Sequence, residues 1–427
     1  MNTVHYPRLG ETAQRITLDN GLRICVVPKK GFARNAAYFV TRFGSINTRF
    51  RFEGQEHQVP DGVAHYLEHK LFDLPGRDVT AEFAALGANT NAFTSYDMTA
   101  YYFSCTENLT QCLRLLLEFV STPYFTQESV EKERGIIAQE ILMYADSPES
   151  QVVEDLTAAL YRDHPIAKPV GGTVESIAEI TPEILELCHR AFYAPANMML
   201  CVAGDVDAQQ VAALAEEILP KQRLAVGEPL LPAEPASVPK PLTRRNMDAA
   251  MPMFQMGFKC DAGLTGDAFA RWELAAQLAL EALCGESSAL YLRLYEQGLI
   301  DPSFGSYAET VDGACMVVIG GDSDDPLAVQ DAVLAEAWRL AHGGISQEEF
   351  RRMKKSHLGG KIQALDSFEA ICARLCAYDG MGYDYFRFPE LVDAITVQEL
   401  ETFLRENIVP QRCAMAIVDP LEQKEDI

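Results

Sequence analysis

Apolar and polar positions alternate early in the chain: Gln14 to Leu18 and Leu22 to Pro28 flank Asp19-Asn20-Gly21, a strong hairpin turn signal, and Ala36 to Phe43 supplies a third strand. The polar stretch Asn47 to Pro60 reads as a loop. From Asp61 to Phe72 the apolar period lengthens to that of a helix, and a second helix, Val79 to Leu86, ends at Gly87, a residue suited to the position just past a helix. Small, β-branched and aromatic residues between Gly87 and Cys105 predict two strands joined near Tyr96-Asp97. Helices are expected over Leu109 to Ser121, Gln127 to Tyr144, Glu149 to Tyr161 and Pro182 to Phe192, and a strand over Met198 to Ala203.

Between Pro220 and Arg244 the periodicity lapses and prolines recur, which marks a linker. Beyond it the pattern restarts: a strand from Met251 to Lys259, an apolar helix from Phe269 to Leu283, a hairpin of Ser303 to Thr310 with Ala314 to Gly320, then helices Leu327 to Ala341 and Gln347 to Leu365. Thr126-Gln-Glu128 corresponds to Ser346-Gln-Glu348, an offset of 348 − 128 = 220. The run Pro195 to Asp205 corresponds to Pro410 to Pro420, an offset of 410 − 195 = 215. The expected organisation is therefore two homologous α+β halves, 1–219 and 245–427, joined by the linker 220–244. Adjacent strands with helices gathered between them point, in each half, to an antiparallel-rich sheet with helices mainly on one side, rather than to a doubly wound parallel fold.

Composition narrows the function classes. The chain has 36 basic and 61 acidic side chains, a net charge of −25, which repels nucleic acid and anionic membrane and favours a basic peptide. No run of apolar residues is long enough to span a membrane. Met1 to Arg8 carries neither a basic n-region nor an apolar h-region, so no secretory signal is expected. The 11 cysteines lie in apolar segments such as those around Cys25 and Cys201, and read as buried free thiols in a reducing, cytoplasmic setting. Cys372 and Cys376, one helical turn apart, are expected in a core.

Candidate chemistry lies in Asp61-Gly-Val-Ala-His65-Tyr-Leu-Glu68-His69. On a helix, offsets of three and four put His65, Glu68 and His69 on one face. Two imidazoles one turn apart can hold the same zinc ion, and a carboxylate beside them can take a proton from water; H-x-x-E-H is the inverzincin signature. A catalytic zinc usually has three protein ligands. The helix Gln127 to Tyr144 offers Glu133 and Glu140, seven apart and so nearly on one face, Glu140 among isoleucines and leucine. An ordinary amphipathic helix with its glutamates in solvent accounts for the same pattern.

The string Gly62-Val-Ala-His65-Tyr-Leu-Glu68-His69, the segment Gly87-Ala-Asn-Thr-Asn91-Ala92-Phe-Thr94 and the helix Glu133-Arg-Gly-Ile-Ile-Ala-Gln-Glu140 together resemble the three successive motifs of the pitrilysin (insulinase) metallopeptidase family. The two-half chain is similar to that family's mitochondrial-processing-peptidase branch and its bacterial relatives. The resemblance implies the metallohydrolase fold of that branch, one Zn²⁺ per chain held by His65, His69 and Glu140, Glu68 as general base, and Glu133 supporting the site. It further implies that Asn91, Ala92 and Thr94 lie where a peptide substrate pairs in extended form. The implied activity is that of a zinc endopeptidase; the alternative is a non-hydrolytic peptide-binding or scaffold subunit that keeps the fold. The second half lacks the site: its helix Phe269 to Leu283 has no histidine, and position 140 + 220 = 360 is Gly360. Active relatives carry an Arg and, seven residues on, a Tyr that contact substrate. Here Arg293 is present but Ile300 stands at the Tyr position. The expectation is the catalytic subunit of a heterodimer whose homologous, zinc-free partner supplies the missing Arg and Tyr.

Overall fold

The computed structural model describes residues 1–421. Two compact units form, and they do not divide the chain at the proline-rich stretch alone. The first contains Met1–Ile141, Pro169–Leu231 and also Lys361–Phe388; the second contains Leu142–Lys168, Pro232–Gly360 and the chain from Pro389. Each half thus lends a helical segment to the other, where the sequence divides simply into 1–219 and 245–427. Periodicity locates an element but is blind to which sheet it covers.

In the first unit a seven-stranded sheet runs in the order Asn2–Tyr6, Glu11–Thr17, Arg23–Pro28, Met198–Gly204, Asn35–Thr41, Thr99–Cys105, Ala88–Thr94. All neighbours are antiparallel except Arg23–Pro28 with Met198–Gly204, which pair in parallel. On one face Phe39, Leu200, Val202, Tyr101 and Phe103 join the helices Val63–Leu71, Leu109–Ser121 and Ala208–Ile218 in the main core. The other face of the central strands is covered by the borrowed helix Phe368–Gly380, whose Cys372 and Cys376 are buried. That double cover is why Asn35–Thr41 and Met198–Gly204 are buried at every position instead of alternating. Salt bridges from Arg15 to Asp384 (2.8 Å) and from Arg23 to Asp379 pin the borrowed segment at its rim.

The second unit repeats the pattern with five strands: Leu242–Met247, Cys413–Pro420, Met253–Lys259, Ala314–Asp322, Gly305–Val311, the first pair parallel and the rest antiparallel. Its core packs Phe254, Met256, Phe258, Val317 and Met415 against the helices Gly266–Cys284, Pro326–Gly343 and Val397–Asn407. The helix Pro148–Leu160 covers the opposite face, close enough that a Cβ at Gly257 would come within 2.6 Å of Leu160 and 3.0 Å of Leu156. Gly257 is the strand position that permits this approach. The matched strand orders bear out the two α+β halves read from the sequence.

The helices Ala208–Ile218, Ala289–Glu296, Phe368–Gly380 and Val397–Asn407 lie where the sequence reading placed none, and two stretches near the start of the chain also depart from it. Asn47 to Pro60 is not wholly loop: Arg49–Phe52 and Gln55–Gln58 form a hairpin, turned at Glu53-Gly54 with positive φ at both residues, and Glu228–Pro229 of the linker pairs with its first strand. Phe50 and Phe52 are its buried face; the charged residues between them masked a two-residue alternation. The first residues, Asn2–Tyr6, add an edge strand.

Candidate metal centre

The helix that carries His65, Glu68 and His69 spans Val63–Leu71 and begins at Gly62, whose φ of 86° only glycine adopts without strain. A side chain at Gly62 would collide with the Gly171 carbonyl, and Ser176 Oγ donates to the Asp61 carbonyl at 2.9 Å. The segment around Gly171 and Gly172 therefore fixes where this helix starts, and with it the reach of His65 three residues on. Tyr66, beside His69 on the helix surface, is fully buried and donates its hydroxyl to the Val130 carbonyl of the helix Gln127–Ala145.

That second helix rests on a narrow stripe. Val130 and Ile137 are its buried residues, and each side chain contributes roughly 1.5–3 kcal/mol by leaving water. Glu133 lies four before Ile137 and Glu140 three after, so burying the isoleucine turns both carboxylates toward the histidines. The resulting group is compact: one donor atom each from His65, His69 and Glu140 lie within 4.8 Å of one another. His65 Nε2 is 3.7 Å from Glu140 Oε1, and His69 Nε2 is 3.3 Å from Glu140 Oε2. Tetrahedral zinc with bonds of about 2.0–2.1 Å spaces its ligands about 3.3–3.4 Å apart, so this donor set fits the ion. Glu133 Oε1 sits 3.1 Å from His69 Nδ1, which keeps that nitrogen the protonated one and leaves Nε2 free to coordinate. His65 Nδ1 is buried with no hydrogen-bond partner among the described residues.

Electrostatics follow from this crowding. Burial raises the Glu68 carboxyl pKa, against the hydrogen bond from Thr94 and the nearby imidazoles, which lower it. His69 is pushed down by burial, but its hydrogen bond to Glu133 and the charges of Glu68 and Glu140 outweigh this and leave its pKa raised. Glu140 is lowered, chiefly by its contact with His65. Replacing Glu133 with Gln removes the carboxylate that orients His69, and zinc affinity is expected to fall about 10- to 100-fold. Competition against a chromophoric chelator measures it; an unchanged affinity would show that His69 needs no such support.

The residues expected to meet substrate divide. Asn91 and Ala92 lie with Glu68, His69 and Glu133 around one cleft of about 460 Å³, which Phe72 and Lys132 also line. They belong to Ala88–Thr94, an edge strand that, among the described residues, is bonded to the sheet only through Thr99–Cys105, and Ala92 N–H donates to Asn91 Oδ1 (2.8 Å). Thr94 instead donates its hydroxyl to Glu68 Oε2 at 2.6 Å. Arg293 is not among these first-unit residues: it is exposed on the helix Ala289–Glu296 of the second unit. Ile300 is a core residue of that unit, 4% exposed. Sequence reasoning missed Thr99, Tyr101 and Tyr193, the hydroxyls behind Glu68; no local pattern marks them, since their spacing is that of a strand and a helix end.

Residues 54–174 match the family described as "Insulinase (Peptidase family M16)", and residues 179–356 match "Peptidase M16 inactive domain". The chain belongs to the insulinase family of peptidases. It is similar to an uncharacterized zinc protease, YmfH, of Bacillus subtilis, 36% identical over 98% of this chain and 99% of the relative. An uncharacterized zinc protease of Mycobacterium leprae is 30% identical over 97% and 93%. Among solved structures, a putative M16-like peptidase from Alicyclobacillus acidocaldarius aligns with a TM-score of 0.93 at 32% identity, covering 96% of this chain and 99% of that one. A protease from Helicobacter pylori shares the fold, with a TM-score of 0.81 at 22% identity and coverage of 96% and 99%. The insulinase-family fold, two units of mixed helix and sheet, is thus the one read from the sequence motifs.

Proposed function

We propose that the protein is a zinc-dependent endopeptidase that hydrolyses peptides bound in extended conformation. The observation that carries this reading is the convergence of His65, His69 and Glu140, with Glu68 beside them, on a cleft bordered by the edge strand Ala88–Thr94. When bound, zinc supplies a Lewis acid and makes water acidic enough to attack at neutral pH. The chain's own residues do the rest. Glu68 accepts the proton of the attacking water and returns it to the leaving amine; the buried setting that raises its pKa suits both halves of that task. Glu133 holds His69, and the edge strand offers unpaired backbone groups to a peptide laid alongside it. The net charge of −25 favours basic peptides.

The chain acts, in this reading, as the catalytic subunit of a heterodimer. Ile300 supports it: buried among core side chains, it offers no hydroxyl where active relatives have a Tyr, so a homologous zinc-free partner would supply the Arg and Tyr. All 11 cysteines are free and buried, which suits a reducing compartment, and the cytoplasm is the proposed location. Among the described residues no helix is long and apolar enough to cross a membrane.

Loading the chain with one equivalent of zinc, with and without candidate partners, is expected to give cleavage of unstructured basic peptides that a chelator abolishes and added zinc restores. Tight zinc binding with no cleavage of any extended peptide, alone or in such mixtures, would leave a peptide-binding scaffold instead.

A further inference from the structure

We propose that Thr94 is a positioning residue for Glu68, fixing one carboxylate oxygen of the base so that the other is presented to the attacking water. The proposal rests on the peptidase reading above and gives Thr94 a role different from the substrate contact that its motif implies. The edge strand alternates in exposure: Asn89, Asn91 and Phe93 are exposed, whereas Thr90, Ala92 and Thr94 face inward. Thr94 therefore points away from the solvent side where Asn91 stands and toward the histidine helix. Its Oγ1 lies 2.6 Å from Glu68 Oε2. An ionised carboxylate can only accept, so Thr94 is the donor. Glu68 Oε1 makes no hydrogen bond among the described residues, although the residue is only 9% exposed. One oxygen is held and one is left for chemistry.

The hold on Thr94 is built from behind. Sheet register sets Thr99 directly across from Thr94, and their hydroxyl oxygens are 3.3 Å apart. Thr99 is fully buried and gives its own proton to the Phe43 carbonyl at 2.8 Å, so it does not compete with Glu68 for the Thr94 proton. Next to it the hydroxyls of Tyr101 and Tyr193 meet at 2.8 Å, both rings buried. Burial keeps both tyrosines neutral well beyond the ordinary range, and Glu68 is close enough to add to that effect. The base thus rests on a chain of uncharged, buried hydroxyls, which orient its carboxylate without neutralising it. A peptide lying along Asn91 and Phe93 would not need to touch Thr94.

Thr94→Val keeps the side-chain shape and removes the donor; Thr94→Ser keeps the donor. In the zinc-loaded full chain, with its partner if one is required, Thr94→Val is expected to lower kcat for an extended peptide about 10- to 100-fold while leaving KM unchanged. Thr94→Ser is expected to recover most of the loss. Two further readouts separate the roles: zinc affinity, and the Kd of the same peptide for Glu68→Gln with and without Thr94→Val. Both are expected to be unmoved by the valine. An unaltered kcat, a loss that serine does not restore, or a rise in KM or peptide Kd with kcat retained would overturn the positioning role. Absence of hydrolysis by the wild-type chain in every mixture would instead overturn the peptidase reading, and the proposal with it.

Discussion

Glu68→Gln is expected to abolish peptide hydrolysis, lowering kcat by about 10²- to 10⁴-fold, while the chain still binds one zinc with wild-type affinity. The amide has the volume of the carboxylate and can still accept a hydrogen bond from Thr94, but it cannot take the proton of the attacking water. Since Glu68 is not among the three converging donors, metal content should not change. The same substitution is expected to raise the melting temperature of the metal-free chain. Burial holds the folded-state pKa of Glu68 above its unfolded value, so the folded protein binds this proton more tightly and loses stability as pH rises through that window. Wherever the carboxyl is ionised its buried charge carries this cost, and a neutral amide in its place removes it. Activity, zinc content and thermal melting of one variant therefore test the assignment together. Retained activity would move the base elsewhere, and loss of zinc would make Glu68 a ligand.

Lys259→Met is expected to cost about 3–5 kcal/mol, the largest stability loss anticipated away from the metal centre. Lys259 is 6% exposed in the second unit, where its ammonium meets Glu234 Oε1 at 2.6 Å and the carbonyls of Leu160 (3.0 Å) and Pro235 (2.7 Å), above the Tyr161 ring. Glu234 in turn accepts the backbone N–H groups of Arg162 (3.0 Å), Asp163 and His164 (both 2.8 Å). Together they tie the proline-rich stretch to the end of the helix Pro148–Leu160. Methionine would fill the space but leave Glu234 without its countercharge. The pH dependence has a definite sign. Burial alone would raise the Glu234 pKa, but Lys259 and the three backbone donors overcome it and hold the carboxyl at about 2. Lys259 and the three backbone donors together therefore contribute stability above the unfolded carboxylate pKa, and that contribution is lost as pH falls from about 4.5 to 2. Denaturant melts at pH 7 and pH 3 are expected to show a smaller difference for Lys259→Met than for wild type. Equal differences would mean that the pair does not govern acid stability.

Much of this molecule is legible locally. The hairpin at Asp19-Asn20-Gly21, the strands Asn35–Thr41 and Met198–Gly204 and the helix bearing His65, Glu68 and His69 all fall where apolar spacing puts them, because spacing reports which face of an element must be buried. Less legible were elements whose signal is diluted by charge. The hairpin Arg49–Phe52 with Gln55–Gln58 hides its two buried phenylalanines among arginines and glutamates. The exchange of helices between units was silent for another reason. Phe368–Gly380 has an apolar stripe whichever sheet it covers, and no residue in it names its destination.

The sequence by itself determined the helix of the candidate site: offsets of three and four put His65, Glu68 and His69 on one face, since α-helical geometry is local. Only the tertiary structure decided the rest of the site. Glu140, 140 − 69 = 71 residues beyond His69, reaches the imidazoles because Ile137 is buried and Tyr66 bonds the Val130 carbonyl. Thr94 grips Glu68 because strand register sets it opposite Thr99. Contacts between residues so far apart in the chain depend on how whole elements pack, and no short-range periodicity encodes that.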